Sequence, residues 1–132
     1  MLVPCEIAIK SILPSVRATI AKELVDKHDL KQAEAAKLLG VSQPAISLYS
    51  RKIRGKAVDL ESDSEIKKMV ENVADSLANG GLSPMNFMSA FCEICRTVRA
   101  KRMMCSLHKT FDPSVDLDKC ELCSTGDLVR CM

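Results

Sequence analysis

The sequence is poor in aromatic residues and has no long apolar run. Tryptophan is absent, and the only aromatic residues are Tyr49, Phe87, Phe91 and Phe111. Because 47% of the residues are nevertheless hydrophobic, aliphatic side chains at helical spacing must supply most of the core. No apolar stretch is long enough to cross a membrane, and the first residues lack the basic region and cleavage site of a signal peptide. We therefore expect a cytoplasmic protein with no membrane partner.

Charge is distributed in blocks, although the net charge is only +2. Residues 31–56 contain six Lys or Arg and one acid, whereas residues 59–75 contain six acids and two Lys. Residues 96–109 are again basic, and residues 112–127 are mostly acidic. A basic block is the usual electrostatic feature of a phosphate-binding surface. The alternation predicts separate surfaces with separate partners.

Periodicity predicts an all-α fold. Apolar residues recur three or four positions apart in residues 5–12, 15–28 and 64–78, and a further helix is expected from Pro84 with Ser83 as its N-cap. No repeats and no strand patterns are present. At 132 residues the chain is long enough for one domain, or for two small ones.

Residues 31–52 have the pattern of a helix-turn-helix. Asp29 is the expected N-cap of a helix through KQAEAAKLL, which ends at Gly40, the residue type that favours a left-handed turn. Ser42 is the expected N-cap of the following helix, QPAISLYSRK, and Pro44 falls in its first turn. Ala36 is small where the second helix must cross the first.

The second helix of this pair is the candidate recognition helix. Its first half presents Gln43, Pro44 and Ser47, and this half of a recognition helix reaches base edges in the major groove. Leu38, Val41 and Ile46 are expected to fill the wedge between the helices. The alternative is an ordinary helical hairpin with a solvated charged face. The candidate phosphate contacts are Gln32, Ser42, Tyr49, Arg51, Lys52, Arg54 and Lys56.

The segment KQAEAAKLLGVSQPAISLY resembles the helix-turn-helix of the Xre/lambda-repressor-like family. That resemblance covers residues 15–56 and implies a compact helical bundle that binds DNA as a dimer. The whole chain is also similar to small archaeal predicted regulators with a cysteine-rich tail, through its LVPCE start, the LPSVRATIAKEL segment and the pattern CEIC…CSLH…CELC. The resemblance does not supply a function for the second half.

The second half of the chain contains six of the seven cysteines, five of them at spacings typical of metal ligands. Cys92 and Cys95 form one C-x-x-C pair, Cys120 and Cys123 form another, and Cys105 lies between the pairs. Disulfides are rare in a reducing compartment, so these residues predict a metal site. Whether His108, Cys5 or Cys131 is also a ligand stays open.

The nature of the metal stays open between zinc and an iron–sulfur cluster. Two C-x-x-C pairs are the zinc pattern, but the first pair lies in a helical stretch and a fifth cysteine is available. A helix continuing from Pro84 to Cys105 would separate Cys92 from Cys105 by about 20 Å. Either the helix ends between Thr97 and Met103, or Cys105 and His108 serve a different site. We expect the helix to end there, so that Cys105 joins the site. The nearby methionines (Met85, Met88, Met103 and Met104) are expected to fill the core.

These patterns predict a sequence-specific regulator that binds double-stranded DNA and carries a cysteine-bound metal or cluster able to sense redox or metal state. Residues 1–58 would be the DNA-binding domain and residues 59–132 a helical, metal-stapled region. In the alternative, the cysteine region is a purely structural zinc staple for dimerisation or partner binding. We expect no enzymatic activity and no small-molecule substrate, because neither C-x-x-C pair lies in a thioredoxin-like strand–helix pattern. A homodimer is expected, built from residues 5–28 or 64–78.

Overall fold

The computed structural model of the chain describes residues 2–52 and 55–121. Within those residues the fold is all-α and contains no strand, which confirms the predicted class. A short 3-10 turn at Leu60–Ser62 precedes the fifth α-helix. The α-helices are α1 (Pro4–Lys10), α2 (Ile12–Asp26), α3 (Gln32–Leu39), α4 (Gln43–Ser50), α5 (Ser64–Ala78), α6 (Pro84–Ala100) and α7 (Cys105–Phe111).

The main core forms where α2 packs against α5. Both helices have apolar residues at spacings of three and four, and these residues are buried against each other and against α1 and α6. The apolar faces expected to form a dimer interface are therefore used within one chain. Fully buried members of this core are Ile12, Val16, Ile20, Leu24, Ile66, Val70 and Ile94.

The acidic segment after α4 is part of the packed structure. Val58 and Leu60 are buried in the main core, and the Val58 backbone N–H donates to Ser15 Oγ at 3.2 Å. Asp63 then caps α5 by accepting from the backbone N–H groups of Glu65 and Ile66. The core thus contains residues from both sides of the boundary expected at 58/59, and the division into two domains stays a prediction.

Helix ends follow local rules at most positions. Ser83 Oγ caps α6 by accepting from the Asn86 N–H at 3.2 Å, with Pro84 as the first helical residue, as predicted. Asp29 as the cap of α3 is wrong: the N-cap is Lys31, and Asp29 is a left-handed residue with φ 54° in the preceding turn. Asp adopts that conformation more readily than most residues. Asp29 therefore marks the turn before α3 and not the start of the helix.

The methionine prediction is half right. Met104 is buried and Met103 is partly buried against the core, but Met85 and Met88 are 70% and 54% exposed on the first turns of α6. Within the described residues, no helix is both long enough and apolar enough to span a membrane.

Candidate nucleic-acid interface and cysteine cavity

A three-residue turn joins α3 to α4. Gly40 adopts φ 68°, the left-handed conformation that favours glycine, and the Val41 N–H donates to the Ala36 carbonyl at 3.0 Å. Ser42 Oγ accepts from the Ala45 N–H at 3.2 Å and so caps α4, as the sequence predicts. The Gly40 turn and the Ser42 cap thus determine where α3 ends and where α4 begins.

Small side chains let α2, α3 and α4 approach one another closely. Ala21 of α2, Ala36 of α3 and Ala45 of α4 are buried in one cluster with Ile46 and Tyr49. Leu39 and Val41 pack against this cluster, as Val41 was expected to do. Leu38 is instead 40% exposed, because it lies about 200° around the helix from Ala36. Leu39 takes the place expected for Leu38 in the wedge.

One face of α4 is left polar and accessible. Gln43 and Arg51 are exposed and Ser47 is half-buried, and these residues recur every four positions. Pro44 is exposed beside Gln43 in the first turn. The opposite face, with Ala45, Ile46 and Tyr49, is the one that packs inward. The candidate base-contacting residues therefore share the outward face of this helix.

The remaining candidate phosphate contacts differ in accessibility. Ser42 and Lys52 are exposed, and Gln32 is half-buried at the start of α3. Tyr49 is only 6% exposed because its ring is part of the small cluster, so a phosphate contact from its hydroxyl stays a prediction. Arg54 lies outside the described residues.

Several exposed cations of this region have no carboxylate partner. In the described part of the chain, none of the ion pairs involves Lys31, Lys37, Arg51, Lys52 or Lys56, all of which are exposed. Three lysines elsewhere, Lys22, Lys27 and Lys101, lie 2.9–3.1 Å from carboxylates. The pKa of Lys101 is accordingly raised by its hydrogen bonds to Glu65 and Asp63. The cations of α3, α4 and the segment after α4 are thus not neutralised by ion pairs, and the same is true of exposed cations elsewhere in the described chain, such as Lys68 and Arg96.

The cysteine half begins on a helix that ends where the metal prediction requires. Helix α6 stops at Ala100, and Arg102 follows in a left-handed conformation, φ 59°. The Met103 N–H then donates to the Val98 carbonyl at 3.1 Å, and α7 begins at Cys105. The break expected between Thr97 and Met103 is confirmed.

The cysteines occupy two different environments. Cys95 is buried in the main core and Cys92 is half-buried one turn earlier on α6. Cys105 and Cys120 line a separate small cavity with a volume of about 10 Å³. Cys123 and Cys131 lie outside the described residues. Among the residues that are described, no three His, Cys, Asp or Glu side chains are arranged to hold a metal ion.

The cavity walls combine sulfur, nitrogen and apolar groups. His108, left open as a ligand by the sequence, is 5% exposed and faces this cavity from α7, where the Cys105-x-x-His108 spacing puts both residues on one side. Arg99 and Arg102 belong to the basic run that the sequence places beside the cysteines, where it could offset the charge of bound thiolates, and Met104 was expected in the core; the cavity that brings the three together was not predicted. The full lining is Arg99, Arg102, Met104, Cys105, His108, Val115, Leu117 and Cys120.

The N-terminal segment is held against α7 by two hydrogen bonds. His108 Nε2 lies 2.8 Å from the Leu2 carbonyl oxygen, which can only accept, so this nitrogen carries the proton and donates. The Leu2 N–H donates to Asp112 Oδ2 at 2.9 Å. Hydrogen bonds from the Ser114 hydroxyl and from the Leu2 N–H lower the pKa of Asp112 from 3.8 to about 2.

This carboxylate predicts a pH dependence of the N-terminal contact. Because the pKa of Asp112 is lower in the folded chain than its ordinary value, the stabilisation is complete above about pH 4 and is lost as the pH falls toward 2. In an NMR titration we expect the Asp112 carboxyl to titrate near pH 2, with the Leu2 amide following it. A carboxyl midpoint near 3.8 with an unresponsive Leu2 amide would contradict the contact.

No family model, curated protein or solved structure matches this chain.

Proposed function

We propose that this chain is a transcriptional regulator that binds double-stranded DNA, with α3 and α4 as a helix-turn-helix and α4 as its recognition helix. The observation that carries the proposal is the outward face of α4. Gln43, Ser47 and Arg51 share this face, while the opposite face packs on α2 and α3. An eight-residue helix about 12 Å long, exposed along one side, has dimensions that suit insertion of its first turns into the major groove.

The distribution of charge supports the same surface. Phosphate contacts supply most of the affinity of such proteins, and they come from cations that are not already neutralised within the protein. Five exposed cations in and beside α3 and α4 form no ion pair within the described chain: Lys31, Lys37, Arg51, Lys52 and Lys56.

The test is the salt dependence of binding to a duplex selected from a random pool. Lys52→Ala is expected to weaken binding to every duplex and to reduce the slope of log K against log salt by about 1, because one phosphate contact is lost. Fluorescence anisotropy at several salt concentrations measures both quantities.

Lys68→Ala is the matched control, since Lys68 is also exposed but lies on α5. Its affinity and slope should equal those of the wild type. If the two variants have equal slopes, or if no duplex is enriched over the starting pool, the proposed surface is wrong.

The second part of the proposal is a cysteine-bound zinc ion or iron–sulfur cluster in a cytoplasmic homodimer, with no enzymatic activity. One recognition helix reads only a few base pairs, so two half-sites about one DNA turn apart give useful specificity. The candidate ligands remain Cys92, Cys95, Cys105, Cys120 and Cys123. Cys105 and Cys120 line the same cavity, which supports a site that joins α7 to the following segment. Metal analysis of anaerobically purified protein tests it.

A further inference from the structure

One stretch of the surface carries no charge. From Asn79 to Cys92 no residue is charged, although Asp, Glu, Lys and Arg make up 27% of the chain. None of these residues is buried either, and together they form the turn after α5 and the first turns of α6. Contact surfaces between proteins are depleted in charged residues and enriched in methionine and aromatic residues. The composition of this neutral segment (residues 79–92) is therefore typical of an interface.

The first half of α6 is packed less closely than the second half. Phe87, Ala90 and Phe91 lie only partly buried against the main core. The fully buried residues of α6 all come after them: Ile94, Cys95, Val98 and Arg99. Helices in proteins are stabilised mainly by the packing of an apolar face. The first turns of α6 thus keep part of their apolar surface open to a second molecule.

The exposed side chains of these turns form a stripe that suits a helix pair. Met85, Met88 and Cys92 follow one another by three and four positions, which places them along one side of α6. Met85 is 70% exposed, Met88 is 54% exposed and Cys92 is half-buried. Side chains at this spacing on two helices can interlock, and the flexible methionine side chain adapts to its neighbours. The stripe can therefore pack against another helix with the same spacing.

The absence of charge favours a second copy of this chain as the occupant. In a two-fold symmetric dimer the same patch of each chain contacts its own copy, so a patch with charge of one sign repels itself. The neutral segment avoids this repulsion. Other exposed apolar residues do not, since Ile9 adjoins Lys10 and Leu38 adjoins Lys37.

The size of the neutral segment also fits a dimer. The accessible surface of the chain is 7884 Å², and a stable interface takes roughly 800 Å² from each partner, which is about a tenth of that surface. Residues 79–92 make up a similar fraction of the chain, and all of them are exposed or half-buried. The segment can therefore supply most of one side of the interface.

We propose that the neutral segment is the homodimer interface, in which the Met85, Met88 and Cys92 stripe of α6 packs against the same stripe of a second copy. The inference rests on the homodimer of the proposed function, for which it names the surface. It depends neither on DNA binding nor on the bound metal.

The experiment measures the mass of the full-length protein in solution by sedimentation velocity over a range of micromolar concentrations. Met85→Asp/Met88→Asp should raise the dimer dissociation constant by about 100-fold or more, because apolar contacts are lost and like charges face each other. Ile9→Asp is the matched control, since Ile9 is 62% exposed but lies on α1. Its dissociation constant should equal that of the wild type. Circular dichroism checks that each variant keeps its helical signal.

A mixture of two variants tests whether the surface contacts its own copy. Met85→Lys/Met88→Lys should be monomeric alone, for the same reason as the Asp variant. Mixed in equal amounts, the Asp and Lys variants should form a dimer at concentrations where each alone is monomeric, because opposite charges then face each other. A mixture that associates no more tightly than either variant alone would overturn the pairing of this segment with itself.

The other outcomes separate this inference from the proposed function. A wild-type dimer that persists in the Asp variant would overturn the interface alone, and would leave the segment to residues 122–132 or to a different protein. A wild-type protein that stays monomeric at every concentration would overturn the proposed homodimer as well. If no duplex is bound, the DNA-binding proposal fails, but the measured masses still decide the interface.

Discussion

Replacing Gly55 by alanine is expected to lower the free energy of unfolding by about 2–4 kcal/mol. Gly55 follows α4 and adopts φ 76°, a conformation that disfavours a side chain. A Cβ atom here would lie 2.6 Å from the Pro14 carbonyl oxygen and 2.7 Å from the Ala18 Cβ, both on α2. Because neither the backbone oxygen nor the alanine Cβ can swing away, the segment after α4 must move off α2.

Gly80→Ala is the matched control for this loss. Gly80 has a similar conformation, φ 71°, but a Cβ there meets no atom within 4 Å. Gly80→Ala should lower the free energy of unfolding only by the cost of a left-handed backbone at alanine, about 1 kcal/mol. Urea unfolding followed by circular dichroism measures both variants. Equal losses at the two positions would contradict the close approach of Gly55 to α2.

Removing both polar side chains from the outward face of α4 is expected to relax or abolish sequence preference. The Gln43→Ala/Ser47→Ala variant should reduce discrimination between the selected duplex and a scrambled one by about 5- to 150-fold, the value of one to three kcal/mol of base contacts. Affinity for the scrambled duplex should be nearly unchanged, because the unpaired cations around α3 and α4 remain in place. Anisotropy competition between the two duplexes measures the ratio.

Asn72→Ala/Ser76→Ala is the control for that variant. It removes an amide and a hydroxyl at the same four-residue spacing, but from α5. Its discrimination should match that of the wild type. If this variant and the α4 variant lose discrimination equally, the effect does not come from a reading face on α4.

Local signals in the sequence were sufficient for most of the helices. The bounds of α5 at 64–78, the cap at Ser42 and the turn at Gly40 follow from residues that act within three or four positions. Ser83 and Pro84 fix the start of α6 in the same way. Such contacts are encoded in neighbouring residues, so one sequence is enough to predict them.

Tertiary contacts were harder to predict. The apolar faces of residues 15–28 and 64–78 are as suitable for pairing with a second chain as with each other, and only the fold shows that they pair within one chain. Helix α7 is short and has no strong cap or apolar period. It is stabilised instead by hydrogen bonds of His108 and Asp112 with Leu2, which is more than 100 residues away in the sequence. Patterns among neighbouring residues do not predict a contact between such distant parts of the chain.

The same limit applies to the candidate sites. The residues of the α4 face were predictable because helical spacing alone puts Gln43 and Ser47 together. The cysteine cavity was not, since C-x-x-C spacing groups Cys92 with Cys95 but does not indicate that Cys95 enters the apolar core. Met104 and Arg102 join Cys105 and Cys120 only through the left-handed turn after α6.

The most direct test of DNA recognition by α4 is an NMR titration of ¹⁵N-labelled protein with the selected duplex. We predict that shift changes and line broadening concentrate on backbone amides of residues 32–52, with the largest changes in the first two turns of α4. Amides of α5 and of the first turns of α6 should not move. Changes centred on α5, α6 or α7, or a spectrum unaffected by a duplex that the protein enriches, would contradict it.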